Sequence, residues 1–164
     1  MTDNPAVAAQ EGLAKQFSLQ RVYLRDVSFE SPNPMAALGL TEAPSVGVQV
    51  GNEARGVGEN LFEVVLTITV TARVGEDTLY LVEVKQAGLF TAAGFEGNEL
   101  GQLLGSYCPN ILFPFVRETV ADLVSKGGYP QLLLQPINFD MLYMQFIQQQ
   151  QQQLAQAEGA GSVQ

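Results

Sequence analysis

Histidine and tryptophan are absent from this 164-residue chain, and cysteine occurs once, as Cys108. Without histidine, one chain cannot assemble a Ser-His-Asp triad, a Cys-His pair or a zinc site built on histidine. Cys108 cannot form an intrachain disulfide, and a single thiol is typical of a protein of the reducing cytoplasm. These absences argue against most common enzyme classes, and we expect neither catalysis nor a bound cofactor.

Charged residues are also scarce, at 15% of the chain against roughly 25% in typical soluble domains. The 8 Lys and Arg stand against 17 Asp and Glu, which gives a net charge of −9. This is the wrong sign for binding to nucleic acid or to anionic membranes. Hydrophobic residues reach 46%, so we expect apolar area to be hidden in an oligomer or kept open for a partner.

Long hydrophobic runs are missing as well, since no segment reaches the roughly 18 apolar residues that a membrane span requires. Residues 1–16 have neither a basic cluster nor a continuous apolar core, so we expect no secretory signal and a cytoplasmic protein. We predict a flexible N-terminal segment over 1–16, one domain over 17–148 and a Gln-rich mobile tail over 149–164.

Four segments show the alternation of apolar and polar residues that is typical of β-strands. They are residues 17–30, 46–50, 62–73 and 78–85, and the third carries the strongest signal. We predict a turn or long hairpin loop over 51–58 and a short turn over 75–77. The segments together predict a four-stranded antiparallel meander.

The chain changes character after Gly88, where glycines at 88, 94, 97, 101 and 105 predict short pieces joined by flexible connections, with one or two weak helical turns over 98–104. This stretch lacks the Gly-Lys-Ser/Thr ending of a phosphate loop. Pro109 predicts the start of a helix that runs to Lys126 and is apolar enough to need cover on two sides. Asn138 is predicted to cap a second, amphipathic helix. Strands followed by helices predict an α+β fold with the helices on one face of an antiparallel sheet.

Three kinds of candidate site remain open on the residues alone. The strand carboxylates Asp26, Glu30 and Glu83 are either ordinary surface groups or an acidic patch that attracts a basic partner. The aromatic residues of the last helix are either core or, for Tyr143 and Phe146, the lining of an apolar groove. Cys108 is either a low-pKa thiolate beside a helix start or a buried structural thiol, and the lack of a neighbouring His or Lys favours the second.

Five ordered segments carry a resemblance to a known family. They are 23–33 (YLRDVSFESPN), 62–72 (FEVVLTITVTA), 107–115 (YCPNILFPF), 129–132 (YPQL) and 136–140 (PINFD). In this order they closely resemble the SecB family of bacterial protein-export chaperones. The resemblance spans about residues 17–153 and is far more specific than any single short motif.

The resemblance implies a cytosolic homotetramer, a dimer of dimers, that holds unfolded preproteins in an export-competent state and passes them to the motor ATPase SecA. The chaperone itself uses no ATP. In the family, an acidic face of the sheet receives the small basic zinc-binding C-terminal tail of SecA, and the zinc belongs to SecA. The matching positions in this chain are Asp26, Glu30, Leu81 and Glu83.

The resemblance also implies apolar client-binding grooves between the crossover that links the first two strands, the rim of the sheet and the last helix. The matching positions are Val46, Val48, Val50, Gln86, Leu142, Tyr143 and Phe146. The crossover over 35–44 departs from the family because it has no Trp, and its large apolar residues are Met35, Leu38 and Leu40. The alternative to a chaperone is a small-ligand carrier or enzyme that uses the groove of the same α+β scaffold as a closed pocket.

Overall fold

The computed structural model describes residues 14–160, so residues 1–13 of the predicted flexible segment and residues 161–164 of the predicted tail lie outside the described residues. The fold is α+β, as predicted, with a four-stranded antiparallel sheet and helices after it. The strands are β1 (Gln16–Glu30), β2 (Ser45–Gly58), β3 (Leu61–Val74) and β4 (Asp77–Ala93). The helices are α1 (Gly97–Gln102), α2 (Cys108–Lys126) and α3 (Phe139–Ala160), with a 3-10 turn at Pro34–Ala37 and a π-helical segment at Leu103–Tyr107.

The strand order in the sheet is β1-β4-β3-β2, so the prediction of a simple meander is wrong for the first strand. Strands β2, β3 and β4 follow one another through short turns, while β1 pairs with β4. Residues 31–44 carry the chain from β1 to the far edge of the sheet. Alternation indicates which residues share a face but contains no information about which strands are neighbours.

Two strands are longer than their alternation indicates. The predicted loop over 51–58 belongs to β2, where Gly51 pairs with Thr67 and Arg55 pairs with Glu63. Strand β4 continues through Gly88 to Ala93 because β1 and β3 supply partners along its whole length. A side chain at Gly88 would clash, since a Cβ there would lie 2.6 Å from the Phe90 ring. Hydrogen bonds to two neighbours thus override the weak strand propensity of glycine.

The core lies between the sheet and α2. Leu112, Val116, Val120 and Val124 of α2 are fully buried, and they pack in one cluster with the strand residues that face the helix. The strand members of this cluster include Val64, Leu66, Ile68, Val70, Val82, Val84 and Phe90. The opposite side of the sheet carries the residues of the other parity, and we call it the open face.

The helical turns predicted over 98–104 are present, but the glycines after Gly88 do not break the chain into flexible pieces as predicted. Helical structure is continuous from Gly97 to Lys126, and the π-helical segment joins α1 to α2 through a hydrogen bond from the Cys108 N–H to the Leu103 carbonyl. The helix predicted over 109–126 is confirmed and begins one residue earlier. The extended segment over 129–138 then returns along the core, where Leu134 is buried.

Helix α3 begins where it was predicted, because the Asn138 side chain accepts a hydrogen bond from the Met141 N–H at 3.1 Å. The helix continues through the glutamine run to Ala160, and its side chains after Gln148 are exposed. The mobility of residues 149–164 stays a prediction. No helix within residues 14–160 is long and apolar enough to cross a membrane.

Candidate functional site

The four residues predicted to bind SecA lie together on the open face. Glu30 of β1 pairs with Leu81 of β4, and two residues further along β4 Glu83 pairs with Ser28. Asp26 pairs with Lys85, the next residue of β4 on the same face. The register therefore places three carboxylates and Leu81 within one patch across β1 and β4, although they are up to 57 positions apart in sequence.

The patch is polar and partly exposed, with one cation inside it. The Thr69 hydroxyl donates to the Glu83 carboxylate at 3.3 Å, and the Lys85 ammonium lies 4.0 Å from the same carboxylate. The Glu83 side chain is 37% exposed, so it remains accessible to a partner's cation. Screening by water makes each such surface ion pair weak, and several pairs together are needed for useful affinity.

A groove of about 700 Å³ runs between β2, the π-helical segment and α3. Four of the seven residues predicted to bind clients line it: Val50, Leu142, Tyr143 and Phe146. Val46 and Val48 lie outside this lining but continue along the same side of β2, where they are 40% and 43% exposed. Gln86 is not brought to the groove, because it is buried in the central strand β4 at 4% exposure.

The wall of the groove formed by α3 is held at its first turns. The Tyr143 side chain lies directly on two glycines: a Cβ built at Gly105 would come 2.5 Å from its ring, and one built at Gly101 would come 2.5 Å from its hydroxyl oxygen. The buried Ser106 hydroxyl donates to the Asp140 carboxylate, which ties the π-helical segment to the start of α3. On the other side, the Phe139 ring packs edge-on against Phe113 at 5.9 Å.

Several groove residues were not predicted from the sequence, among them Asn52, Leu104 and the two glycines under Tyr143. The Asn52 amide donates to the Leu104 carbonyl at 3.1 Å and so links β2 to the π-helical segment. One signal was available: Gly97, Gly101 and Gly105 are four apart, and on a helix this spacing places them on one face. Such a face lets a second helix approach closely, and Gly101 and Gly105 have this role here because Tyr143 of α3 packs on them.

The crossover is exposed and contributes nothing to the lining of this groove, although the resemblance implied that it forms one of the walls. Met35 and Leu38 are 68% and 72% exposed, in and just after the 3-10 turn that the Asn33 side chain caps through the Ala36 N–H. Leu40 is 38% exposed. These side chains add apolar surface at the end of the sheet.

The thiolate interpretation of Cys108 is wrong. The side chain is fully buried in the core, and burial raises its pKa to about 12. The neutral thiol is therefore the form present at physiological pH, and it acts as a small apolar core residue. Within residues 14–160, no three His, Cys, Asp or Glu side chains are grouped so that they could hold a metal ion.

Similarity to known proteins is extensive. The family model described as "Preprotein translocase subunit SecB" matches residues 10–152. A protein-export protein SecB of Alcanivorax borkumensis is 57% identical over 148 residues, which cover 88% of this chain and 92% of that protein. The SecB of Methylococcus capsulatus is 55% identical over 139 residues, which cover 85% of this chain and 90% of that protein.

A solved structure supports the fold independently. The SecB-like chaperone of Mycobacterium tuberculosis, solved in complex with a ChAD peptide from an antitoxin, superposes with a TM-score of 0.56. Its sequence is 18% identical, and the match covers 74% of this chain and 90% of that one. At this identity the likeness concerns the fold alone. The family model and the two close relatives together show that the chain belongs to the SecB family.

Proposed function

We propose that this protein is a chaperone of the bacterial cytoplasm that binds unfolded preproteins and keeps them competent for export. The observation that carries the proposal is the apolar groove beside α3. Leu142 and Phe146 line it while remaining 38% and 53% exposed, so large apolar side chains are held open to solvent. The curated relatives are named protein-export proteins, which fits this role.

A groove of this kind favours broad selectivity. Apolar burial is non-directional, so any unfolded segment with enough nonpolar area can bind without a matching set of hydrogen bonds. The carrier or enzyme alternative needs a closed pocket around one small molecule. Phe146 is too exposed in the groove for such enclosure, and this favours an extended polypeptide as the occupant.

An aggregation assay tests the proposed function. We expect the protein, without nucleotide, to suppress light scattering from several unrelated denatured proteins in proportion to the amount of chaperone added. Apolar burial requires neither hydrolysis nor a specific sequence, which is why nucleotide and client identity should matter little. Unchanged scattering, combined with saturable binding of one small molecule, would instead support the carrier alternative.

We further propose that the patch of Asp26, Glu30, Leu81 and Glu83 on the open face docks the basic zinc-binding tail of SecA. The patch lies on the side of the sheet opposite α2, and the α3 groove does not include it. Client binding and SecA docking would then occupy separate surfaces. A chaperone that releases its client to a motor needs both surfaces to be available at once.

Charge reversal tests the docking site. The double substitution of Asp26→Lys and Glu83→Lys should weaken SecA binding by about tenfold or more, because it replaces attraction with repulsion at two positions. The same variant should still suppress aggregation. Titration of SecA at low salt and at about 0.5 M salt, where the Debye length is only ~4–5 Å, measures the electrostatic contribution to the binding free energy. Unchanged SecA affinity in the variant, or parallel loss of client binding, would contradict separate sites.

We also propose a homotetramer, assembled as a dimer of dimers, with the outer side of α2 in an interface. One side of α2 packs on the sheet, while Phe115 on the other side is 42% exposed, and the Arg117 Nε is buried with no hydrogen-bond partner in the described part of the chain. We expect a solution mass near four chains at micromolar concentration. Phe115→Asp should lower this mass by placing a charge in the interface, and a monomeric wild-type protein would refute the assembly.

A further inference from the structure

The basic residues of this acidic chain are unevenly distributed. The chain has eight Lys and Arg against seventeen Asp and Glu. Five of the eight lie on the open face, and they are Arg21, Arg25, Arg55, Arg73 and Lys85. The face that carries the proposed SecA patch is therefore not uniformly acidic, and the positions of its cations determine what can bind there.

Three arginines gather on the open face beside the acidic patch, on the side away from Glu30, and one of them, Arg25, directly precedes Asp26. The strand register forms one row across the sheet, with Arg21 on β1, Leu89 on β4, Glu63 on β3 and Arg55 on β2. Arg25, which the register shift between Leu24 and Asp26 leaves unpaired on β1, also reaches this row. We call Arg21, Arg25 and Arg55 the arginine cluster.

A buried carboxylate holds two members of the cluster in place. The Arg25 Nη1 and the Arg55 Nε both lie 2.8 Å from the same oxygen of Glu63, whose side chain is 8% exposed. The Tyr23 hydroxyl donates to the other Glu63 oxygen, and the Arg21 guanidinium lies 5.8 Å from the centre of the Tyr23 ring. The guanidinium groups are thus oriented before any partner arrives.

The cluster keeps unused binding capacity. A guanidinium has five N–H donors in a fork that matches a carboxylate, and Arg25 and Arg55 have side chains that are 48% and 64% exposed. Two arginines bind the buried Glu63 and a third lies over the neighbouring Tyr23 ring, while Glu53, on the same face of β2, reduces the positive excess without cancelling it. An exposed, preoriented and positive surface of this kind favours an anionic group with carboxylate geometry.

The distance along β4 between the acidic patch and the arginine cluster indicates how one segment could contact both. Glu83 and Leu89 are six residues apart on β4, which corresponds to about 20 Å along the sheet. We propose that the arginine cluster is a second docking point for the same extended segment whose basic side chains bind Asp26, Glu30 and Glu83. The segment would carry a carboxylate about six residues from its lysines or arginines, and this inference rests on the proposed docking function of the open face.

Synthetic peptides of about twelve residues test the proposal directly. One carries two lysines and, six residues away, a glutamate; its partner has glutamine in place of that glutamate, and both are made in each chain direction. We expect the glutamate peptide of one direction to bind the full chain about three- to fivefold more tightly at low salt, as one or two surface ion pairs allow. Fluorescence anisotropy of labelled peptides measures the difference.

Variants of the protein show which residues cause the difference in affinity between the glutamate and glutamine peptides. Arg21→Gln should abolish most of the advantage while leaving the hydrogen bonds to Glu63 intact, and Arg73→Gln, the same charge change elsewhere on the open face, should preserve it. Equal affinity for the glutamate and glutamine peptides, or an advantage that survives Arg21→Gln combined with Arg55→Gln, overturns the second docking point. If neither peptide binds, an extended segment does not occupy this face and the second docking point is overturned; if SecA binding is unaffected by Asp26→Lys with Glu83→Lys, the proposed docking face itself is overturned.

Discussion

Replacing Leu142 and Phe146 together by serine should weaken the binding of long unfolded clients on the order of 100-fold. Each large apolar side chain that is buried by a client contributes about 1.5–3 kcal/mol, and about 1.4 kcal/mol corresponds to a factor of ten in affinity. Both residues line the groove and are 38% and 53% exposed, so the substitutions should leave the fold intact. Titration with a full-length unfolded protein measures the loss.

Helix α3 offers a matched control for this prediction. Met141 and Met144 lie on the same helix, are 56% and 61% exposed and do not line the groove. Serine at both positions should change client affinity little. Because several weak contacts act together along one chain, a short segment cut from the client should lose less than the whole protein. Equal losses for both double variants, or for the long and short clients, would show that binding occurs elsewhere.

A second test of the groove displaces α3 without replacing its apolar residues. Alanine at Gly105 would place its Cβ 2.5 Å from the Tyr143 ring, so the ring and the helix start must shift. The groove that depends on this contact should then change shape. Loss of client affinity in Gly105→Ala, with Leu142 and Phe146 intact, would link the glycine contact to client binding.

Replacing Glu63 by glutamine should lower the free energy of unfolding by about 2–3 kcal/mol. Hydrogen bonds to a charged group contribute about 1.5–3 kcal/mol each, and Glu63 receives them from Tyr23, Arg25 and Arg55. The loss stays below that of a fully buried ion pair because water can solvate the two arginines, which are about half exposed. Urea unfolding of the wild type and the variant measures it.

The contribution of Glu63 has a definite pH dependence. The hydrogen bond from Tyr23, followed by that from Arg55 and the charges of both arginines, lowers the pKa of Glu63 below its ordinary value of 4.5, although burial opposes this. The stabilisation is therefore complete above that value and is lost as the pH falls through the pKa of the folded protein. The difference in the free energy of unfolding between the wild type and Glu63→Gln should therefore become smaller at acidic pH. Glu53→Gln, an exposed carboxylate on the same face, should cost less than about 0.5 kcal/mol.

The alternation in residues 62–73 predicted the strand and placed Glu63 on its polar side, yet it predicted neither the burial of Glu63 nor its ion pairs with Arg25 and Arg55. Arg25 reaches Glu63 because a register shift in β1 leaves it unpaired, and Arg55 does so because residues predicted as a loop extend β2. Both conditions depend on how distant strands pair. A local pattern cannot specify such pairing, since two strands of equal alternation fit together in several orders and registers.

The sequence likewise predicted one part of the groove and missed another. The helical spacing of Leu142, Tyr143 and Phe146 predicted an amphipathic helix, and the residue type of Asn138 predicted its cap. Both predictions were possible because they depend on residues within one or two turns of each other. The glycines at 101 and 105 were interpreted as chain breakers because glycine has a low helix propensity. In the folded protein, the space that they leave is filled by Tyr143, and this contact offsets the local cost.

The sequence by itself determined the α+β class, the cores of all four strands, the helices over 109–126 and from 139, and the family to which the chain belongs. These follow from composition, short-range periodicity and long ordered motifs, all of which are local properties of the chain. Only the tertiary structure decided the order β1-β4-β3-β2, the joining of α1 to α2, the burial of Gln86 and the gathering of arginines around Glu63. Each of these depends on contacts between residues far apart in sequence, whose free energy appears only when the strands and helices pack together.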